Sequence, residues 1–250
     1  MRFKYAFLLL TFCVIILSCT DKKPVSQAQE SSVQQEDSVP VKKVDSVKVA
    51  KTQPLTYKIL VPFNYRLCNP DTIINQNWVE LYKDGKDYYV GKARYGIEMR
   101  EDMCSSTIPT YLAEKRNTIL FVNQLPIKKG KVKIADIAFS DSTYLEPGSV
   151  RNFTFAGKHY KLEAKAQGES QLKNYTLLLN GERIVREARV DAASFALLFA
   201  GDLDGDGKLD LVLSLPRDYE ELRVALFLSS CAPPGLQIGK VAEIEDDFSC

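Results

Sequence analysis

From Leu55 onward, polar and apolar side chains alternate with a period nearer two than 3.6. The clearest stretch sets His159, Lys161, Glu163 and Lys165 against Tyr160, Leu162, Ala164 and Ala166, the pattern of a strand with one wet face and one face in the core. Two pairs of such runs flank turn dipeptides: 78–83 and 86–92 around Asp84-Gly85, and 175–179 and 182–185 around Asn180-Gly181. Both dipeptides suit type I′ turns, which need positive φ at two successive positions, so both pairs are expected as hairpins. A third hairpin is expected from 224–230 and 238–244 around Ala232-Pro233-Pro234-Gly235. Further strands are predicted over 55–61, 95–100, 118–123, 132–139, 150–155, 195–200, 209–215 and 222–229. No run keeps helical periodicity for more than about ten residues, although 111–116 can make one helical turn. Strands at roughly ten-residue spacing with turns between them predict a mainly β fold of antiparallel sheets, packed as a sandwich or partial barrel.

The N-terminus breaks this alternation. Arg2 and Lys4 precede an apolar run from Tyr5 to Leu17, about a dozen residues and too short to span a bilayer comfortably, which is the make-up of a signal peptide. The closing quartet Ile16-Leu17-Ser18-Cys19 resembles the lipobox of bacterial lipoproteins. That resemblance implies removal of 1–18 and lipidation of Cys19, which would place the chain in a bacterial envelope with the membrane as a partner. Thr20 stands where some bacterial lipoproteins carry an Asp that retains them in the inner membrane, so the resemblance favours the outer membrane. Residues 19–54 are rich in Lys, Gln, Ser, Glu and Pro and hold no aromatic residue, a composition that cannot bury enough apolar surface to fold. Asp37-Ser38-Val39 recurs as Asp45-Ser46-Val47, a short repeat that lengthens a tether. A flexible chain of that length spans about 33 Å root-mean-square. The foldable part is then 55–250, taken as one domain or as subdomains 55–140 and 141–250.

Charge narrows the partners. Without the signal segment the chain carries 31 basic and 32 acidic residues, a net charge of −1 with histidine neutral. No basic cluster is interleaved with aromatics, so nucleic acid is excluded as a partner and an envelope protein or glycan is expected instead. After Cys13 and Cys19 are set aside, Cys68, Cys104, Cys231 and Cys250 remain. An even number in an oxidising compartment predicts two disulfides. Zinc is disfavoured because these cysteines are far apart in sequence and His159 is remote. In the third hairpin Cys231 sits at the turn and Cys250 beyond the far end, a separation of about 23 Å for seven residues, where a disulfide needs Cα atoms within about 7 Å. Cys250 is therefore expected to pair with the N-terminal half, with Cys104 preferred over Cys68.

The chemistry concentrates in Asp202-Leu203-Asp204-Gly205-Asp206-Gly207-Lys208-Leu209-Asp210. Carboxylates at positions 1, 3, 5 and 9 repel one another unless a dication lies among them. Calcium suits such a loop because it accepts six to eight oxygens in irregular geometry, with Gly207 permitting the sharp turn and Lys208 offering a backbone carbonyl. An EF-hand would carry Glu at position 12, where Leu213 stands. Together with the apolar runs on either side, the loop resembles an FG-GAP or VCBS-type calcium repeat over about 20 residues. In that family several copies build a propeller. One copy stands here, so what the resemblance implies is a calcium-stapled β-hairpin.

No nucleophile elbow, phosphate loop, dinucleotide fingerprint or His-Glu-x-x-His occurs, and no catalytic residue is assigned. His159 has no legible partner as a base. Asp218, Glu220 and Glu221 could serve a glycan hydrolase but are expected to face solvent. The chain thus reads as an anchored envelope protein acting by binding or assembly, with a glycan hydrolase or an inhibitory accessory of an envelope complex as alternatives.

Overall fold

The computed structural model describes residues 57–249, except 102–108, 138–142, 169–170 and 192–193. The chain divides into Met1–Thr52 and Gln53–Cys250, and all described residues belong to the second unit. The signal segment, Cys19, the tether 19–54, Cys104 and Cys250 lie outside them, as do the ends of the strands expected over 55–61 and 132–139.

In chain order come β1 (Ile59–Leu60), β2 (Phe63–Tyr65), helix α1 (Pro70–Ile73), β3 (Val79–Asp84), β4 (Asp87–Lys92), β5 (Tyr95–Met99), β6 (Thr110–Glu114), β7 (Asn117–Val122) and β8 (Gly130–Ile134). Then follow β9 (Val150–Phe155), β10 (Lys158–Gln167), β11 (Gln171–Leu179), β12 (Glu182–Asp191), β13 (Ala196–Asp202), β14 (Asp210–Ser214), β15 (Glu221–Leu228) and β16 (Gly239–Asp247). They form three antiparallel sheets, so the fold is mainly β as the alternation predicts. The largest sheet runs β1-β7-β3-β4-β8-β13-β14-β15-β16. β1 also lies against β16, which makes this sheet a nearly closed barrel. Its strands come from both sides of residue 140. The others are a meander, β12-β11-β10-β9, and a small sheet, β2-β6-β5.

Two cores explain the strand sequences. One surrounds Trp78, Leu81, Leu120 and Phe121 and takes Val212, Val224, Leu226 and Leu228 from β14 and β15. The other gathers Leu162, Tyr175 and Leu177 of the meander with Leu211, Leu213, Ala225 and Phe227 from the alternate positions of the same two strands. β14 and β15 are therefore buried on both faces, and their near-continuous apolar sequences follow from that. β10 has only one covered face, and His159 and Lys161 are exposed where Tyr160 and Leu162 are buried.

The turns refine the expected hairpins. Asn180 and Gly181 have φ of 51° and 86° between paired Leu179 and Glu182, as a type I′ turn requires. In the first hairpin Asp84 pairs with Asp87, so the loop is Gly85-Lys86 and not Asp84-Gly85. Gly85 alone has positive φ, 59°, which fits the glycine-first type II′ turn. The helical turn over 111–116 is not found: these residues lie mostly in β6, whose Leu112 is opposite both Phe63 and Ile97. Partners on both sides override a weak local preference. The only α-helix among the described residues is α1, started by Asn69, whose side chain accepts from the Asp71 N–H, with Pro70 in the first turn. The third hairpin forms with Val224 opposite Ile244 and Leu228 opposite Gly239.

Candidate metal centre

β13 and β14 are the rails of the acidic loop, with Gly201 opposite Asp210. A Cβ on Gly201 would come within 2.4 Å of the Lys133 carbonyl, so glycine is what lets β8 close against β13. Gly205 and Gly207, at φ of 82° and 79°, turn the chain back in a conformation that costs other residues energy.

The loop's carboxylates first satisfy its own backbone. Asp202 accepts from Gly205 N through Oδ1 at 2.6 Å and from Gly207 N through Oδ2 at 3.1 Å. Asp204 Oδ1 accepts from Asp206 N, and Asp206 Oδ1 from Lys208 N. Asp210, fully buried, accepts from Leu203 N at 2.7 Å and from Ser229 N at 2.8 Å. These bonds leave one carboxylate oxygen from each of Asp202, Asp204 and Asp210 within 4.8 Å of the others. Asp204 Oδ2 is buried without any hydrogen-bond partner. Among the described residues no Lys or Arg forms an ion pair with these three; Lys208 Nζ lies 3.7 Å from Asp206 instead.

The donor set is all oxygen and fits a hard dication such as calcium. Asp206 stands outside the three-carboxylate group: its Oδ2 is 2.9 Å from Ser229 Oγ, which is also 3.1 Å from Asp210 Oδ1. Having one proton, that hydroxyl can serve only one of them at a time. Lys208 is exposed at the loop tip. Burial pushes the Asp210 carboxyl up to about 7, against the pull of the Ser229 and Leu203 N–H groups, and the charge of Asp204 adds to the rise. A cation between them would reverse that effect.

Ser229 was not legible as part of this centre. It follows Asp210 by 19 residues and reaches it only because β15 pairs with β14. Its one sequence signal is a hydroxyl directly after an apolar run.

The other expected candidates lie elsewhere. Asp218 is exposed and accepts from Glu220 N. Glu221 is a correction to the solvent-facing expectation: its side chain is 8 % exposed and paired with Arg217. Burial opposes its charge, but the hydrogen bonds and charge of Arg217 outweigh burial and hold the carboxyl below the usual range, the wrong direction for a general acid. Cys68 and Cys231 are free thiols. Burial and then the charge of Asp246 push the Cys68 thiol up to about 11, which makes it a poor nucleophile. The pairing expected for Cys104 and Cys250 falls outside the described residues.

No known family model, curated protein or solved structure matches the chain.

Proposed function

We propose that this protein is a lipid-anchored component of a bacterial cell envelope whose β domain is stapled by one calcium ion and acts by binding or assembly. The observation that carries the calcium part is Asp204 Oδ2, buried and without a partner beside the carboxylates of Asp202 and Asp210. Asp202, Asp204 and Asp210 would hold the ion, with the Lys208 carbonyl as a further donor. Asp206 would act through Ser229 on the outside of the site. The likeness of the loop to an FG-GAP or VCBS-type repeat supports the same assignment. When bound, the ion would supply charge neutralisation that ties β13 to β14; no catalytic step is assigned to it. The anchor rests on the lipobox-like sequence ending at Cys19, with the outer membrane the favoured location.

The test has two arms on the full chain. Calcium at about 100 times its dissociation constant should stabilise the fold by about 2.7 kcal/mol, or about 5–10 °C in melting temperature for a domain of this size. Asp204→Ala should remove that rise. Melting curves that coincide in calcium and in chelator would refute the metal. Separately, a clickable palmitate analogue should label the chain in cells, and labelling that survives Cys19→Ala would refute the anchor.

A further inference from the structure

Four turns meet at one end of the meander and border a half-open cavity of about 470 Å³. The start of β10 contributes Lys158, His159 and Tyr160, and the β11–β12 turn contributes Asn180. The metal loop brings Lys208 and Leu209, and the end of β15 with the turn after it brings Ser229 and Ala232–Ile238. The volume is that of a pocket for a small organic ligand.

The charged side chains of the lining are both lysines, Lys158 and Lys208; His159 lies beside Lys158, and no Asp or Glu is part of the lining. Lys158 and His159 are exposed and make no ion pair among the described residues. Two acids touch the lining from outside: Asp206 accepts from Ser229 Oγ and lies 3.7 Å from Lys208 Nζ, which offsets part of that lysine's charge, and Glu182 accepts from Gln237 N. The wall is also braced. Asn180 Nδ2 donates to Gln237 Oε1 at 2.9 Å, which ties the meander turn to the β15–β16 turn. Pro233, Pro234, Leu236 and Ile238 supply an apolar side. Lys158, with no acid paired to it, and Lys208, shared with Asp206, make one end of the cavity favourable to an anion, and the apolar side favours a compact ring or carbon skeleton at the other.

We propose that this cavity binds a small oxyanion-bearing ligand, a carboxylate or phosphate on a compact organic body, and that calcium controls the affinity because the metal loop is one of its walls. Lys158 meets the anion with His159 beside it, and Lys208 contributes in competition with Asp206. Asn180 and Gln237 set the width of the mouth. Ser229 connects the two sites: it lines the cavity and hydrogen-bonds to Asp206 and Asp210. The coupling rests on the calcium assignment above; the cavity and its charge do not.

His159 is the sole histidine of the chain, so its ring Cε1–H resonance is an unambiguous reporter inside the cavity. The detergent-solubilised full chain, ¹³C-labelled at histidine, is titrated with D-glucuronate, with glycerol 3-phosphate and with neutral D-glucose, each in calcium and in chelator. At least one anion should move the resonance saturably in calcium while glucose leaves it in place, and which anion does so distinguishes carboxylate from phosphate. Lys158→Gln should weaken that binding by about fivefold, the upper range for one exposed charge pair, and chelator should weaken it further. Silence from both anions, or an equal response to glucose, overturns the pocket. Equal anion affinity with and without calcium overturns the coupling. Failure of the metal assignment shows separately, as coincident melting curves, and anion binding in such a protein would leave the pocket standing.

Discussion

Glu80 on β3 and Asp210 on β14 are both fully buried carboxylates in the same nine-stranded sheet, yet they are compensated in opposite ways. Glu80 has a cation of its own. Arg116 donates to it through Nε at 2.8 Å and also through Nη2, Arg94 N and Thr118 Oγ1 complete the set, and the guanidinium lies 3.7 Å from the centre of the Tyr82 ring. Asp210 receives only neutral donors and has Asp202 and Asp204 for neighbours. Asp246 separates burial from clustering: it too is fully buried and accepts from Arg66 N and Leu67 N, and it belongs to no converging group of three acids among the described residues. Burial of an acid is therefore common to all three. What sets the Asp202, Asp204 and Asp210 group apart is clustering with other acids and the unpartnered Asp204 Oδ2.

The largest effect that can break this comparison is at Glu80. Glu80→Gln removes one half of a buried pair and should cost about 3 kcal/mol in urea unfolding, equally in calcium and in chelator. A much smaller loss would mean that Arg116 does not compensate Glu80, and a calcium-dependent loss would mean that the two regions are not independent.

At Asp210 the expectation is the reverse. Asp210→Asn should abolish the calcium-dependent rise in melting temperature, yet in chelator at pH 8 its net effect should be far smaller than at Glu80, because relief of a charge buried among acids offsets the cost of an amide Nδ2 that faces one of the two backbone N–H donors. The pH dependence has a definite sign. With the folded carboxyl raised to about 7 from 3.8, the folded state binds more protons than the unfolded state between those values, so calcium-free stability should fall as pH rises from 4 to 7. In Asp210→Asn that portion of the slope should vanish. A wild-type profile as flat as that of the variant would remove the electrostatic contrast with Glu80.

The smallest effect sharpens the comparison. Ser229→Ala deletes the hydroxyl shared by Asp206 and Asp210 and should cost about 1 kcal/mol in unfolding, with a weaker response to calcium. A loss in stability that leaves the calcium response intact would assign Ser229 to packing alone.

Much of the architecture was legible because the signals behind it are local. The period of two in β10, the Asn180-Gly181 turn and the spacing of the acidic loop each act within a few residues, where sterics and turn chemistry decide the outcome. The same reasoning failed at 111–116, where the partners of β6 on either side lie up to 49 residues away in sequence, and at Asp84-Gly85, where the pairing of Asp84 with Asp87 moved the turn by one position.

Distance in sequence also separates what was legible in the acidic loop from what was not. Aspartates with glycines at fixed spacing announce an oxygen-rich turn with no reference to the rest of the chain. Which three carboxylates converge, why Asp206 turns to Ser229, and how four turns border one cavity depend on strand pairings and sheet packing that bring together residues 19 to 80 positions apart. Hydrophobic burial drives those pairings, and it depends on area and not on sequence order, so only the assembled sheets determine which polar groups end up facing one another.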